Sequence, residues 1–204
     1  MTPDEILHGI YERAVATLNT TVISNQTIRE RVDYICRCTS NRAGVRLLMS
    51  CLLGKLDKPN VDPRKPYTEI GGADSFSGRT YDERYLTKFI NEHRLPVNPT
   101  TAFLTPTLRN IDHPLTTDRE LVGKPRDLYR KTLELLEDVA EQRIAADVMF
   151  VETVRVLLLL RDEKLARMTS LLGALERTEG ALPLSSEAIV TLINQHLACK
   201  NASR

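Results

Sequence analysis

Apolar residues recur along most of this chain at intervals of three and four, the spacing that gathers them on one side of an α-helix. Ile6, Ile10, Ala14, Val15 and Leu18 make the first such stripe, over residues 3–19. Thr2 stands where an N-cap belongs, Pro3 suits the first helical position, and Asp4 and Glu5 face the positive end of the helix dipole. A short polar link, 20–26, precedes a second stripe of Ile28, Val32, Ile35 and Cys36. Thr27 and Glu30 have the spacing of a capping box at its start. Residues 41–56 carry Val45, Leu47, Leu48, Cys51, Leu52, Leu53 and Leu56, apolar round most of a helix, which predicts a central, buried element.

The period returns later in the chain. Pro125 opens a helix with Leu128, Leu135, Leu136 and Val139 on its apolar side. From Ile144 to Leu175 the pattern stays helical through Val148, Val151, Val154, Val156–Leu159, Leu165, Met168, Leu171 and Leu172. An uninterrupted run of that length would make a rod, so a break is expected near 143–147 or 161–164. Gly180 and Pro183 end the run. Ser185 then caps a last helix, 186–199, with Ile189, Leu192, Ile193 and Leu197 inward. Leu, Ala and charged residues dominate throughout, which disfavours strands. The prediction is all-α: one globular multi-helix domain over residues 1–204, with a long irregular Gly/Pro-rich insertion between helices.

That insertion, 57–125, is where the pattern fails. Asp62-Pro63-Arg64 and Lys65-Pro66 force extended or turn geometry. Gly71, Gly72 and Gly78 permit close backbone approach, but the stretch lacks the GK[ST] ending of a phosphate-binding P-loop. Thr80 and Glu83 suggest a capped helix over 80–94, whose start presents Arg79, Tyr81, Asp82 and Arg84, with Lys88 one turn on. Residues 95–115 contain Pro96, Pro99, Pro106 and Pro114 and no helical period. Long loops in compact domains tend to carry function. A short helix is expected over 117–122, with Gly123 as its stop.

Composition narrows the classes. The chain has 204 residues, 42% hydrophobic and 27% charged, at a net charge of +1, so any nucleic-acid contact must come from local clustering. Arg29, Arg31, Arg37, Arg42 and Arg46 outnumber Glu30 and Asp33 in one segment, where a solvated helix face is the simpler reading. Cys36 and Cys38 are spaced C-x-C without a nearby His, so reduced thiols rather than zinc ligands are expected. No stretch is apolar enough for a membrane span and the N-terminus has no signal-peptide core, which predicts a cytoplasmic protein. Asp162-Glu163-Lys164 has the form of a nuclease D-x-K motif. It sits in a helical period, where Asp162 and Lys164 point apart, so no catalytic or metal-ligating set is assigned.

The chemistry that remains is polar recognition. Arg64, Arg79, Arg84, Lys88 and Arg109 suit phosphate or guanine, Asn98 and Asn110 suit adenine, and Tyr81 could stack or bond to phosphate. The order LLMSCLLGKL, then VDPR at 61–64, then Tyr81-Asp82-Glu83-Arg84-Tyr85-Leu86, then Leu95-Pro96-Val97, resembles the N-terminal helical region of SacI-type type II restriction endonucleases. The resemblance implies site-specific recognition of double-stranded DNA in a bacterial restriction-modification system. It places Mg²⁺ only in a separate nuclease core, as a C-terminal domain or beside a nuclease or methyltransferase partner, with a homodimer left open. A different class stands beside this one, a helical protein-interaction or oligomerisation module of a defence system, in which the polar stretch merely braces the fold.

Overall fold

The computed structural model describes residues 1–38, 44–97, 113–118 and 125–179, with side chains to residue 173. The described residues are helical and contain no strand, so the fold is all-α. Helices α1 (Pro3–Ala16), α2 (Gln26–Arg37) and α3 (Gly44–Asp57) come first. A single 3-10 turn, Thr68–Ile70, interrupts the polar stretch. A continuous helical segment follows, made of α4 (Gly78–Tyr81), a π-helical section π1 (Asp82–Leu86) and α5 (Thr87–Glu92). Then come α6 (Arg126–Ala140) and α7 (Ala146–Glu179).

The caps show how local sequence sets these boundaries. Thr2 Oγ1 accepts from the Glu5 N–H while the Glu5 carboxylate accepts from the Thr2 N–H, a reciprocal capping box. Helix α2 starts earlier than the Thr27/Glu30 spacing suggests. Asn25 is the cap, its Oδ1 accepting from the Ile28 N–H, and Glu30 accepts from Gln26 instead. Both α5 and α6 end on a left-handed residue, Arg94 (φ 50) and Gln142 (φ 58). Each lets the next N–H reach back to the last turn, Leu95 to the Ile90 carbonyl and Arg143 to the Asp138 carbonyl. The second of these reversals is the break expected near 143–147. No break occurs at 161–164, where α7 runs straight through. The start of the predicted third helix, most of the predicted 117–122 helix and all of the predicted 186–199 helix fall outside the described residues.

Helix α3 is buried from Gly44 to Gly54, as its all-round apolar pattern demands. It lies among α1, α4, α6 and α7, and Leu47, Leu48, Met49, Leu52 and Leu53 are fully enclosed. The first half of α7 is its counterpart, with Met149–Leu158 enclosed against α1, α2 and α3. Burying this much aliphatic surface is the main source of stability, at about 25 cal/mol per Å² removed from water. No helix among the described residues is long and apolar enough to cross a membrane.

Candidate functional site

The polar stretch after α3 is a braced turn. The N–H of Asp62 donates to the Asp74 carbonyl, Phe76 to Lys65, and Gly78 to Pro66, so 62–66 and 74–78 run beside each other. Gly71 (φ 71) and Gly72 (φ 87) take the left-handed backbone at the tip, which an L side chain would resist. Side chains close the same turn. Asp62 accepts from the Arg64 backbone N–H at 2.9 Å and from its guanidinium through both oxygens, and Lys65 Nζ lies 2.6 Å from Asp74 Oδ2. Lys55 Nζ donates to the carbonyls of Pro59 and Val61. Phe76 docks over Gly54, where an added Cβ would lie 2.6 Å from the ring.

The following helix is capped by Ser77, not Thr80. Ser77 Oγ accepts from the Thr80 N–H, and Glu83, the expected partner of Thr80, pairs with Arg79 instead. Tyr81 is buried between Phe76 and Tyr85 and its hydroxyl donates to Asp57 Oδ2 at 2.5 Å. Burial first, then the adjacent Asp57 carboxylate, pushes the Tyr81 phenol well above its ordinary value.

The π section has a visible cause. Arg46 of α3 is buried and faces Asp82, with Nε to Oδ1 and Nη2 to Oδ2 both at 2.9 Å. Arg46 Nη2 also donates to Thr87 Oγ1 at 2.7 Å, and the Thr87 hydroxyl donates to the Asp82 carbonyl. Residues five apart in an α-helix lie about 140° apart around the axis. Widening the turn so that the Thr87 N–H bonds to the Asp82 carbonyl brings both to one side, where a single guanidinium reaches them. Burial raises the Asp82 carboxyl above its ordinary range, opposed by the Arg46 hydrogen bonds.

The sequence-predicted site residues therefore separate. Arg64 is half-buried and committed to Asp62. Tyr81 is a core residue, not a stacking platform. Arg79 is exposed and paired with Glu83. Arg84 and Lys88 are exposed and make no ion pair among the described residues. Asn98, Arg109 and Asn110 fall outside the described residues. The solvated basic face expected over 29–46 is also corrected in part. Arg31 reaches Glu134 and Asp138 of α6, Arg37 makes a two-bond contact with Glu163 of α7, and Arg46 is interior. Glu163 of the Asp162-Glu163-Lys164 triplet is thus a tether between helices.

A second buried charge cluster was not among the sequence-predicted sites. Glu152 of α7 is fully enclosed. It accepts from Thr21 Oγ1 (2.9 Å), the Val22 N–H (3.0 Å) and the guanidinium of Arg155, which also donates to the Leu18 carbonyl. Burial would raise the Glu152 carboxyl, but these donors more than offset it and the net shift is downward. The cluster fastens the α1–α2 link to α7. The chemical signal was a Glu three residues from an Arg inside an apolar run. Among the described residues no group of three or more His, Cys, Asp or Glu side chains could hold a metal ion. Comparison with protein-family models, with curated proteins and with solved structures finds no match.

Proposed function

We propose that this chain is the DNA-recognition helical region of a type II restriction endonuclease of the SacI type, with the nuclease core and its Mg²⁺ elsewhere. Two supports meet on one element. Of the segments that carry the resemblance, YDERYL builds the π-distorted helix and VDPR braces the turn that leads into it. Its outer side offers Arg84 and Lys88 to solvent without ion-pair partners among the described residues. That pair is the observation that carries the proposal. A helix fixed on its inner side by Arg46–Asp82 and Tyr81–Asp57 holds cations in place for a phosphate backbone, and irregular π turns recur at functional sites.

The test is a gel-shift titration of the full chain on mixed-sequence duplex at several salt concentrations. Wild type should be retained at low salt, and R84A/K88A should bind more weakly. The slope of log K against log salt should fall by about 1 for each phosphate that is no longer neutralised. No retention of wild type on any duplex, or an unchanged slope in the double variant, refutes the proposal.

A further inference from the structure

The helix that carries Arg84 and Lys88 offers a third polar side chain in line with them. Arg84, Lys88 and Asn91 are all exposed and follow one another at i, i+4 and i+7, the spacing of one helix side. The widened turn at Asp82–Leu86 sets Lys88 more nearly over Arg84 than a regular α-helix would. Arg94 adds an exposed guanidinium at the left-handed residue just past the helix. None of these three cations has an ion-pair partner among the described residues, and the Asn91 amide has no hydrogen-bond partner there. The fold uses Asn91 through its backbone, whose carbonyl accepts from the Arg94 N–H.

The end of α5 is fixed from its inner side. Phe89 and Ile90 are buried. The His93 ring stacks on Tyr11 of α1 with centroids 3.7 Å apart, Phe89 meets the same ring edge-on, and Arg161 of α7 donates to the His93 carbonyl. A turn held in this way presents its outer side chains pre-organised, which lowers the cost of ordering them on binding.

We propose that Asn91 is a base-reading residue, specific for adenine in the major groove of duplex DNA, with Arg84, Lys88 and Arg94 on the flanking phosphates. The inference deepens the DNA-recognition reading and rests on it. An asparagine amide carries a donor and an acceptor side by side, which match the adenine N7 acceptor and N6 donor in two bonds. The cations lie on either side of Asn91 along the helix. From Arg84 to Arg94 the chain rises roughly 15 Å, against a major groove about 12 Å wide, so the end cations meet backbone while the middle faces base edges. Glu92 is exposed beside Asn91 and repels a phosphate over this turn, which leaves a neutral base edge as the group that fits the amide.

The test is selection of binding sites by the full chain from a random-sequence duplex pool, followed by titration on the recovered site. Wild type should recover sites with a fixed A·T pair. Changing that pair to G·C should weaken binding about 5- to 150-fold, the worth of a two-bond base contact. N91A should lose this discrimination yet retain mixed-sequence duplex with the wild-type salt slope, because no phosphate contact is removed. N91D keeps the side-chain shape and removes the amide donor. It should lose the preference as well, and it serves as the second variant should N91A fold poorly. R84A/K88A should do the converse and weaken all sequences alike. Variants at Asn91 that recover the wild-type site with its A·T preference intact overturn the inference and leave the DNA-recognition reading standing. So does a wild-type selection with no fixed position. Wild type that binds no duplex overturns both.

Discussion

Replacing Arg46 with methionine tests the account of the π-distorted helix most directly. The guanidinium is 5% exposed and supplies three hydrogen bonds, two to the Asp82 carboxylate and one to Thr87. Methionine keeps much of the aliphatic volume and removes the charge. Asp82, 3% exposed, is then a buried carboxylate with no cation, and removing one member of such a pair costs about 3–5 kcal/mol. Asp82 limits the penalty by taking up a proton, so the lower end, about 3 kcal/mol, is expected at neutral pH. For a chain of this size that lowers Tm by about 6–12 °C. R46M/D82L, which removes both charges, should recover most of the loss, since replacing a buried ion pair by apolar groups is about neutral or stabilising.

The pH dependence fixes the sign. The Asp82 carboxyl is already raised above its ordinary 3.8 in the folded protein, so ionising it there works against folding as pH rises through its folded value. Loss of Arg46 raises it further and extends that window upward. The gap between R46M and wild type should therefore be widest near neutral pH and narrow as pH falls below 3.8, where Asp82 becomes protonated folded and unfolded. Urea melts of the three proteins across about pH 3–8, followed by circular dichroism, measure this. A deficit in R46M that is independent of pH, or a double variant no better than the single, refutes the ion-pair account and leaves only poorer packing.

The remaining predictions concern the other close contacts. E152Q should lose about 2–3 kcal/mol at neutral pH, because charge-assisted bonds from Arg155, Thr21 and Val22 are weakened. The Glu152 carboxyl is held below its ordinary 4.5, so its contribution is complete above that value and is lost as pH falls through the folded value. The gap between E152Q and wild type in thermal melts should close in acid, and a gap that grows there refutes the assignment. G54A should cost about 1–3 kcal/mol by overpacking against Phe76, and the double variant G54A/F76L should be less destabilised than additivity requires.

The helical class was legible because the apolar stripes are long, and a long stripe survives errors at its ends. The ends themselves were less legible. Asn25 and Ser77 won over Thr27 and Thr80 as caps because several short polar residues stand within three positions of each other, and local sequence does not rank them. The buried Arg46–Asp82 pair was invisible for a different reason. Arg46 lies in an apolar helix, and its partner Asp82 is far along the chain beyond a loop. A sequence pattern reports periodicity, not the long-range pairing that makes an interior arginine tolerable. The π section follows from the same pairing, so it too had no local signal.

This distribution of arginines changes how the chain's chemistry should be read. In sequence, the arginines around 64–84 look like a footprint for an anionic partner, and those over 29–46 like a solvated helix face. In the fold, Arg31, Arg37, Arg46, Arg64 and Arg155 each face a carboxylate of this same chain. A guanidinium already held by two oxygens must give up that pairing to take a phosphate, and for the interior ones the helix junction would open with it. Arginine count is therefore the wrong measure of the proposed DNA surface, and unpaired exposure is the right one. By that measure, among the described residues of the π-distorted helix, Arg84 and Lys88 stand out. Neutralising them should weaken retention of duplex DNA and leave the melting temperature almost unmoved. Neutralising the bracing arginines should do the reverse until the fold itself is lost.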